Sequence, residues 1–392
     1  MTSDSNRRAW TAGIFLYVAL LGVALQLRGA LLPNFQSTFG VSESALGLVS
    51  TVSSLGFLIT IFAVGMSVSR INVRRFLIGG FAASAVLFWV IASMNSYWML
   101  LGIMGLAGLF RGVLHGLDRP LLSHLYPENR GRMYNTEDMV WAIGATAGPL
   151  LATAVLAVHG WRLAYVLLGF SFLPLIVLVW RLDVPDGIEN EQELELGEIR
   201  PLFAHPTVAS MAVAMLLLAF IEGGIFTWLP YYANQSLPRS VANLSLSGYL
   251  AMYIPGRLFF GWATDRFSNL DLVLGSAIVA VGALYVAFVL TTGYPMLGAV
   301  LVIGFLVAGM FPTLLAWATN AFPQYSGPMG AVALGTSSIG FLIFPATMGV
   351  VADVYRVQTA MQLLVAVMAA LAVVMVAIRH HRGAAATPQP DT

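Results

Sequence analysis

The chain has no cysteine and no lysine, and only 9% of its 392 residues are charged. Without thiols it forms no disulfide, binds no metal through thiolate and performs no cysteine chemistry. All 19 basic residues are arginine, so a lysine Schiff base is excluded as well. The formal net charge is +1 and no basic tract carries interleaved aromatics, so no nucleic-acid partner is expected. Zinc-binding His-Glu-x-x-His, a Gly-x-Ser-x-Gly elbow and a phosphate-cradling Gly-rich loop are all missing, so no enzymatic activity, cofactor or metal is expected.

Hydrophobicity is what the chain has in excess: 58% of residues are apolar and the mean hydropathy is +0.82. Soluble domains carry about 25% charged residues. Apolar runs of roughly 18–25 residues, long enough to cross about 30 Å of hydrocarbon as a helix, recur from end to end, so the chain is an integral protein of the lipid bilayer. The runs lack the alternation of barrel strands, which leaves helices. Twelve spans are predicted at roughly 10–34, 43–67, 73–94, 97–121, 134–158, 161–182, 207–232, 241–263, 270–292, 294–320, 328–352 and 356–379. Between the sixth and seventh lie seven carboxylates from Asp183 to Glu198 and no spanning run. The expected organisation is a six-helix bundle over 1–182, a cytoplasmic linker over 183–206, a second six-helix bundle over 207–382 and a disordered tail over 383–392.

Arginine placement in short loops sets orientation. With both termini cytoplasmic, twelve arginines, including Arg7, Arg8, Arg70, Arg74, Arg75 and Arg266, fall inside, and three, Arg162, Arg239 and Arg356, fall outside. Arg7 and Arg8 also resemble a twin-arginine export signal, but the run behind them is too long for a signal core and lacks a cleavage site. A multi-pass plasma-membrane protein, monomeric, is the expectation.

The two halves share an internal repeat. Gly65 and Arg70 match Gly261 and Arg266, Gly144 matches Gly340 and Pro149 matches Pro345, each pair 196 residues apart, which is half of 392. A duplicated unit with both copies in one orientation is the parallel-repeat plan of transporters that bind solute near the midplane. In "GWATDRF" the motif Gly-x-x-x-Asp-Arg stands complete, in "GMSVSRINVRR" Ser69 replaces the Asp, and the fifth span carries "GATAGPLLA". On these motifs the chain resembles the major facilitator superfamily over essentially its full length. The resemblance implies an all-α membrane fold of twelve transmembrane helices in two pseudo-twofold-related six-helix bundles, working by alternating access. Arg70, Arg74, Asp265 and Arg266, with Pro149 and Pro345, are the gating residues it implies, forming charge contacts that make and break between packings. Pro312 and Pro345 are expected either to unwind the tenth and eleventh spans locally or to be tolerated there as kinks.

Charges inside the spans point to function, because a lipid-facing ion is expensive. In "RGVLHGLDRP", Arg111, His115 and Asp118 share one helical face, bordered by Arg119. Arg111 is expected deep in a central cavity, Asp118 and Arg119 as a gate pair nearer the cytoplasm, and His115 as a group able to take up a proton. Arg28, two residues after Gln26, is either an anion anchor or an arginine snorkelling outward. Glu222, the repeat counterpart of Gln26, is the expected proton site. Arg257 in "YIPGRLFFGWATDR" resembles the carboxylate-binding arginine of monocarboxylate and oxalate porters, with Tyr253 standing where some relatives are acidic; sugar porters share the segment. Glu137 and Asp138 read as acids at the start of the fifth helix. Trp228, Tyr253 and Trp317 are the aromatic cavity candidates.

The expected activity is secondary active transport of a small organic anion such as a carboxylate, since a guanidinium matches carboxylate or phosphate. H+ is the expected coupling ion. A sugar porter, a proton-coupled exporter of amphipathic compounds and a non-transporting receptor on the same fold are the alternatives.

Overall fold

The computed structural model describes residues 4–67, 72–183, 205–321 and 326–385, and all regular structure among them is helical. The first half contains α1 (Asp4–Ala30), α2 (Leu32–Phe39), α3 (Glu43–Gly65), α4 (Val73–Ser93), α5 (Tyr97–Leu125), α6 (Arg130–Val158), α7 (Trp161–Ser171) and α8 (Leu173–Arg181). The second contains α9 (Pro206–Ala233), α10 (Arg239–Ala251), α11 (Tyr253–Ala263), α12 (Asn269–Tyr285), α13 (Tyr294–Val307), α14 (Met310–Ala321), α15 (Ser326–Val354) and α16 (Val357–Ala385). A π-helical turn, Val286–Leu290, ends the ninth span.

There are more helices than spans because proline divides several of them. Proline removes one N–H and its ring crowds the carbonyl four residues back, so the break falls just upstream. Pro33, Pro174, Pro255 and Pro312 each lie within the first three residues of the downstream segments α2, α8, α11 and α14. Eleven stretches are long and apolar enough to cross a membrane, and the remaining span, the eighth, is divided at Met252 into α10 and α11. Pro312 therefore interrupts its span. Pro345 does not, since α15 runs unbroken through it, and Pro149 likewise sits inside continuous α6. Starts follow local chemistry: the Asn72 side chain accepts from the Arg75 N–H at 3.1 Å, and Ser268 accepts from the Asp271 N–H at 3.1 Å.

The halves repeat one packing scheme. In the first, α1 packs on α6, α3 on α5 and α4 on α7; in the second, the counterparts α9 on α15, α10 on α13 and α12 on α16 do the same. Glycine permits the closest of these contacts. A Cβ on Gly144 of α6 would stand 2.0 Å from the Ala19 carbonyl of α1, so only glycine fits there.

An even number of spans puts both termini at one end of the bundle, here the terminal end; the other is the distal end. Across the seam α3 packs on α15, α6 on α10 and α1 on α9. Hydrogen bonds across it cluster toward the distal end. Tyr231 donates to Glu43 at 2.6 Å, Ser44 donates to Asp353 at 2.6 Å and Thr51 donates to the Leu342 carbonyl at 2.7 Å. There too a Cβ on Gly29 would meet the Phe226 carbonyl at 2.0 Å. The distal end is closed.

α16 extends to Ala385, so the first residues of the expected tail are helical. Arg70 and most of the linker over 183–206 lie outside the described residues.

Candidate functional site

Between the halves lies a cavity of about 260 Å³. Its deep part is made by Gln26 and Arg28 of α1, Ser50 and Ser54 of α3, Arg111 of α5 and Glu222 and Thr227 of α9. Its mouth toward the terminal end is made by Arg119, Glu137, Asp138, Arg257 and Pro312. Exposure rises in that direction: the Asp138 side chain is 42% accessible, whereas Gln26 is 1% accessible. Among the described residues the cavity is closed at the distal end, and its most accessible lining lies toward the terminal end.

The expected helical stripe forms, but its members have unequal partners. The Arg111 guanidinium lies 4.4 Å over the Phe57 ring and has no ion-pair partner among the described residues. His115 Nδ1 is 2.7 Å from Asp118 Oδ2, and Asp118 Oδ1 accepts the Arg119 N–H at 2.6 Å. Arg119 turns to α6, placing Nη2 3.2 Å from Asp138 Oδ1 and Nε 3.6 Å from Glu137 Oε2. Asp118 and Arg119 are thus not a pair bridging the halves: the backbone N–H, not the guanidinium, meets Asp118, and the guanidinium stays within the first half.

Glu137 and Asp138 were the residues sequence reasoning misplaced. α6 begins at Arg130, so both acids lie about two turns inside the helix rather than at its start, where they face Arg119. An arginine near the end of one span and acids early in the next was the available signal. Donor atoms of His115, Asp118 and Glu137 lie within 4.8 Å of one another. The 2.7 Å contact of His115 with Asp118 is a hydrogen bond, shorter than the roughly 3.3 Å between ligands of a tetrahedral ion, and Arg119 already supplies positive charge.

On the second half, Tyr253 donates to Glu222 Oε1 at 2.6 Å and lies 3.2 Å from the Tyr249 hydroxyl. Arg257, whose guanidinium lies 5.7 Å from the Tyr253 ring centre, leaves buried Nε and Nη1 without hydrogen-bond partners. Gln26 Oε1 and Ser337 Oγ are buried and unpartnered in the same wall. Arg28 lines the cavity.

Several expected site residues are elsewhere. Trp228 is fully buried and donates from Nε1 to the Pro345 carbonyl at 3.0 Å, so it ties α9 to α15 and does not line the cavity. Trp317 is buried outside the cavity wall. Pro149 is also outside it, whereas Pro345 contributes to it. Arg74 donates to the Trp180 carbonyl within the first half. Arg266 donates to the Trp262 carbonyl at 3.0 Å and stacks 4.3 Å over that ring, and exposed Asp265 has no ion-pair partner among the described residues. Among the described residues the second-half copy of the loop motif makes no ion pair with the first half, and its arginine folds back on Trp262. Aromatic lining comes from Tyr253 together with Phe57, Trp141, Phe226, Phe311 and Phe341.

Twelve spans in two equivalently packed halves, enclosing a charged cavity closed at the distal end, define a membrane transporter of small solutes. The Major Facilitator Superfamily model matches residues 14–238 and 233–391, and the chain belongs to that family. It is 25% identical over 355 residues to the glycerol-3-phosphate transporter of Bacillus subtilis, covering 78% of this chain and 79% of that one. It is 23% identical over 374 residues to the membrane sensor protein UhpC of Salmonella typhimurium, covering 84% of each. Its fold matches a bacterial homologue of the human lysosomal transporter Spinster, in an inward-facing and occupied conformation, with a TM-score of 0.82, 14% identity and 96% and 98% of the two chains covered.

Proposed function

We propose that this transporter moves a small organic anion, coupled to H+ through Glu222, with both termini in the cytoplasm of the cell that carries it in its plasma membrane. The observation that carries the reading is a charge imbalance in the cavity. Four arginines, Arg28, Arg111, Arg119 and Arg257, line it against three carboxylates, Glu137, Asp138 and Glu222, and the two acids of α6 sit with Arg119 at the mouth. Arg28, Arg111 and Arg257 remain, facing Glu222 as the one other acid in the wall. A cavity with surplus guanidinium in a low-dielectric setting favours an anion. Similarity to a glycerol-3-phosphate transporter, whose named solute is an anion, supports the class.

Glu222 is the coupling group because it shares the cavity with Arg257 and gains a hydrogen bond from Tyr253, so protonation and anion binding act on one local charge balance. Uptake of labelled organic acids and organic phosphates into proteoliposomes, with and without an imposed pH gradient, tests both parts. Saturable anion uptake accelerated by the gradient supports the reading. Uptake of neutral sugars or lipophilic cations in place of anions refutes it.

The similarity to a membrane sensor protein favours one second reading, a receptor that binds its anion without moving it. Ligand-induced thermal stabilisation with no counterflow exchange distinguishes that case.

A further inference from the structure

Behind the central cavity, wholly within the first half, lies a smaller one of about 60 Å³. Arg28 of α1 and Arg111 of α5 line both cavities and form part of the wall between them. The smaller space is otherwise apolar except for Tyr17 of α1, Ser53 of α3, Ser84 of α4 and Tyr165 of α7. The Tyr17 and Tyr165 hydroxyls are buried and have no hydrogen-bond partner, although the two side chains are only 3% and 1% accessible. Ser84 is already committed, donating to the Gly80 carbonyl at 2.8 Å.

We propose that this annex is an oxyanion site of the first half, taking a tetrahedral group such as phosphate between the two arginines and the two tyrosines. The wall offers hydrogen-bond donors from three helices and includes no carboxylate. Two guanidiniums with no acid partner, enclosed within the bilayer, need a counter-charge. Two phenols left without partners in a buried site each forgo a hydrogen bond that a bound acceptor restores. One water needs about 10–15 Å³ of such space, so 60 Å³ accepts a group of several heavy atoms and exceeds what a single halide fills. Planar carboxylate presents two oxygens; phosphate presents enough to meet donors arriving from α1, α5 and α7 together.

Placement within one half has a mechanical consequence. The anionic head stays with the first half while the second half, with Arg257 and Glu222, moves against the remainder of the solute. The inference deepens the anion-transport reading and rests on it only where the head belongs to the transported solute. Free inorganic phosphate and the phosphoryl head of an organic phosphate present the same chemistry to the annex.

Equilibrium binding of labelled inorganic phosphate to the full chain in lipid nanodiscs tests the site, with sulfate, chloride and glycerol 3-phosphate as competitors. Tyr17→Phe and Tyr165→Phe keep the rings that pack on Phe81 and Trp161 and remove only the hydroxyls. Saturable phosphate binding, at least tenfold tighter than chloride and weakened about tenfold by each substitution, is expected. Competition by glycerol 3-phosphate assigns the annex to a solute's head group; phosphate binding without it assigns the annex to the free ion. Absence of saturable phosphate binding in the wild type, equal affinity for chloride, or binding unchanged in both tyrosine variants overturns the proposal. Tyrosine-sensitive phosphate binding in a protein that transports no anion leaves the annex standing and removes the transport reading; anion uptake without phosphate binding does the reverse.

Discussion

Removing the distal hydrogen bonds should shift the protein toward a form opened at that end, and the structure sets the size of the shift. Glu43 Oε1 accepts from Tyr231 at 2.6 Å and from Gln36 at 3.1 Å, and beside it Ser44 donates to Asp353 at 2.6 Å. The Tyr231 bond ends on a carboxylate in a mostly buried setting, worth about 1.5–3 kcal/mol, and the more exposed Ser44 bond about 0.5–1 kcal/mol. Both exist only while the distal ends of α3, α9 and α15 touch, so their loss acts on the closed form alone. Tyr231→Phe with Ser44→Ala therefore moves the equilibrium by about 2–4 kcal/mol, roughly 30-fold to several-hundred-fold, enough to take a 1:99 population to about 1:3 or beyond. The chain has no cysteine, so spin labels at Ser37→Cys and Gln235→Cys report the distal separation without background. A second, longer distance should appear in the double variant by electron–electron resonance. An unchanged distribution would show that the apolar seam alone sets the equilibrium and that these bonds are incidental.

Glu222→Gln should abolish acceleration of uptake by a pH gradient while leaving anion counterflow measurable in proteoliposomes, because the amide keeps its bond with Tyr253 but carries no proton. Arg119→Gln leaves buried Glu137 without its cation and should destabilise the protein by about 3–5 kcal/mol; adding Glu137→Gln should recover much of the loss in thermal melts. Gly144→Ala places a methyl 2.0 Å from the Ala19 carbonyl and should cost about 1–3 kcal/mol, read as a lower melting temperature, whereas Gly275→Ala, with open space around it, should not.

Fold was legible where a single physical rule governs it. Run length fixed the number of spans, and the spacing between Gly144 and Gly340 exposed a duplication that recurs as equivalent helix pairings. Proline positions were legible but their effect was not uniform. Pro312 breaks its span while Pro345 does not, and no local difference between "GMFPTLL" and "FLIFPATMG" announces it; contact with α3 and α9 along α15 holds that helix together. In the site, Arg28, Arg111, Glu222, Tyr253 and Arg257 were found because an intramembrane charge or its partner needs a reason to be there. Serines and phenylalanines escaped notice, since apolar rings are ordinary in a bilayer, and the acids of α6 were seen but placed at the helix start, which lies two turns earlier. Trp228 drew attention for its type, but an indole N–H has one bond to give, and Pro345 takes it.

Duplication and function part company at the cavity. The repeat offset sets Arg28 against Gly224, Arg111 against Val307, Arg257 against Ile61 and Glu222 against Gln26. No ionic residue of the deep cavity has an ionic counterpart, although the helices that bear them pack alike. A symmetric cavity would hold a solute equally in both halves, and rocking would then pull equally on both of its ends. Here the deep arginines, Arg28 and Arg111, belong to the first half, and the second half holds the acid Glu222 with Arg257 nearer the mouth. On the proposed reading, a polar anion would bind in one direction, head toward α1 and α5, and protonation of the opposite wall would change the hold on its tail alone. On that reading the asymmetry lets a proton on Glu222 bias the motion of one half relative to the other, and reducing it with Arg111→Gln should weaken the dependence of anion uptake on the pH gradient.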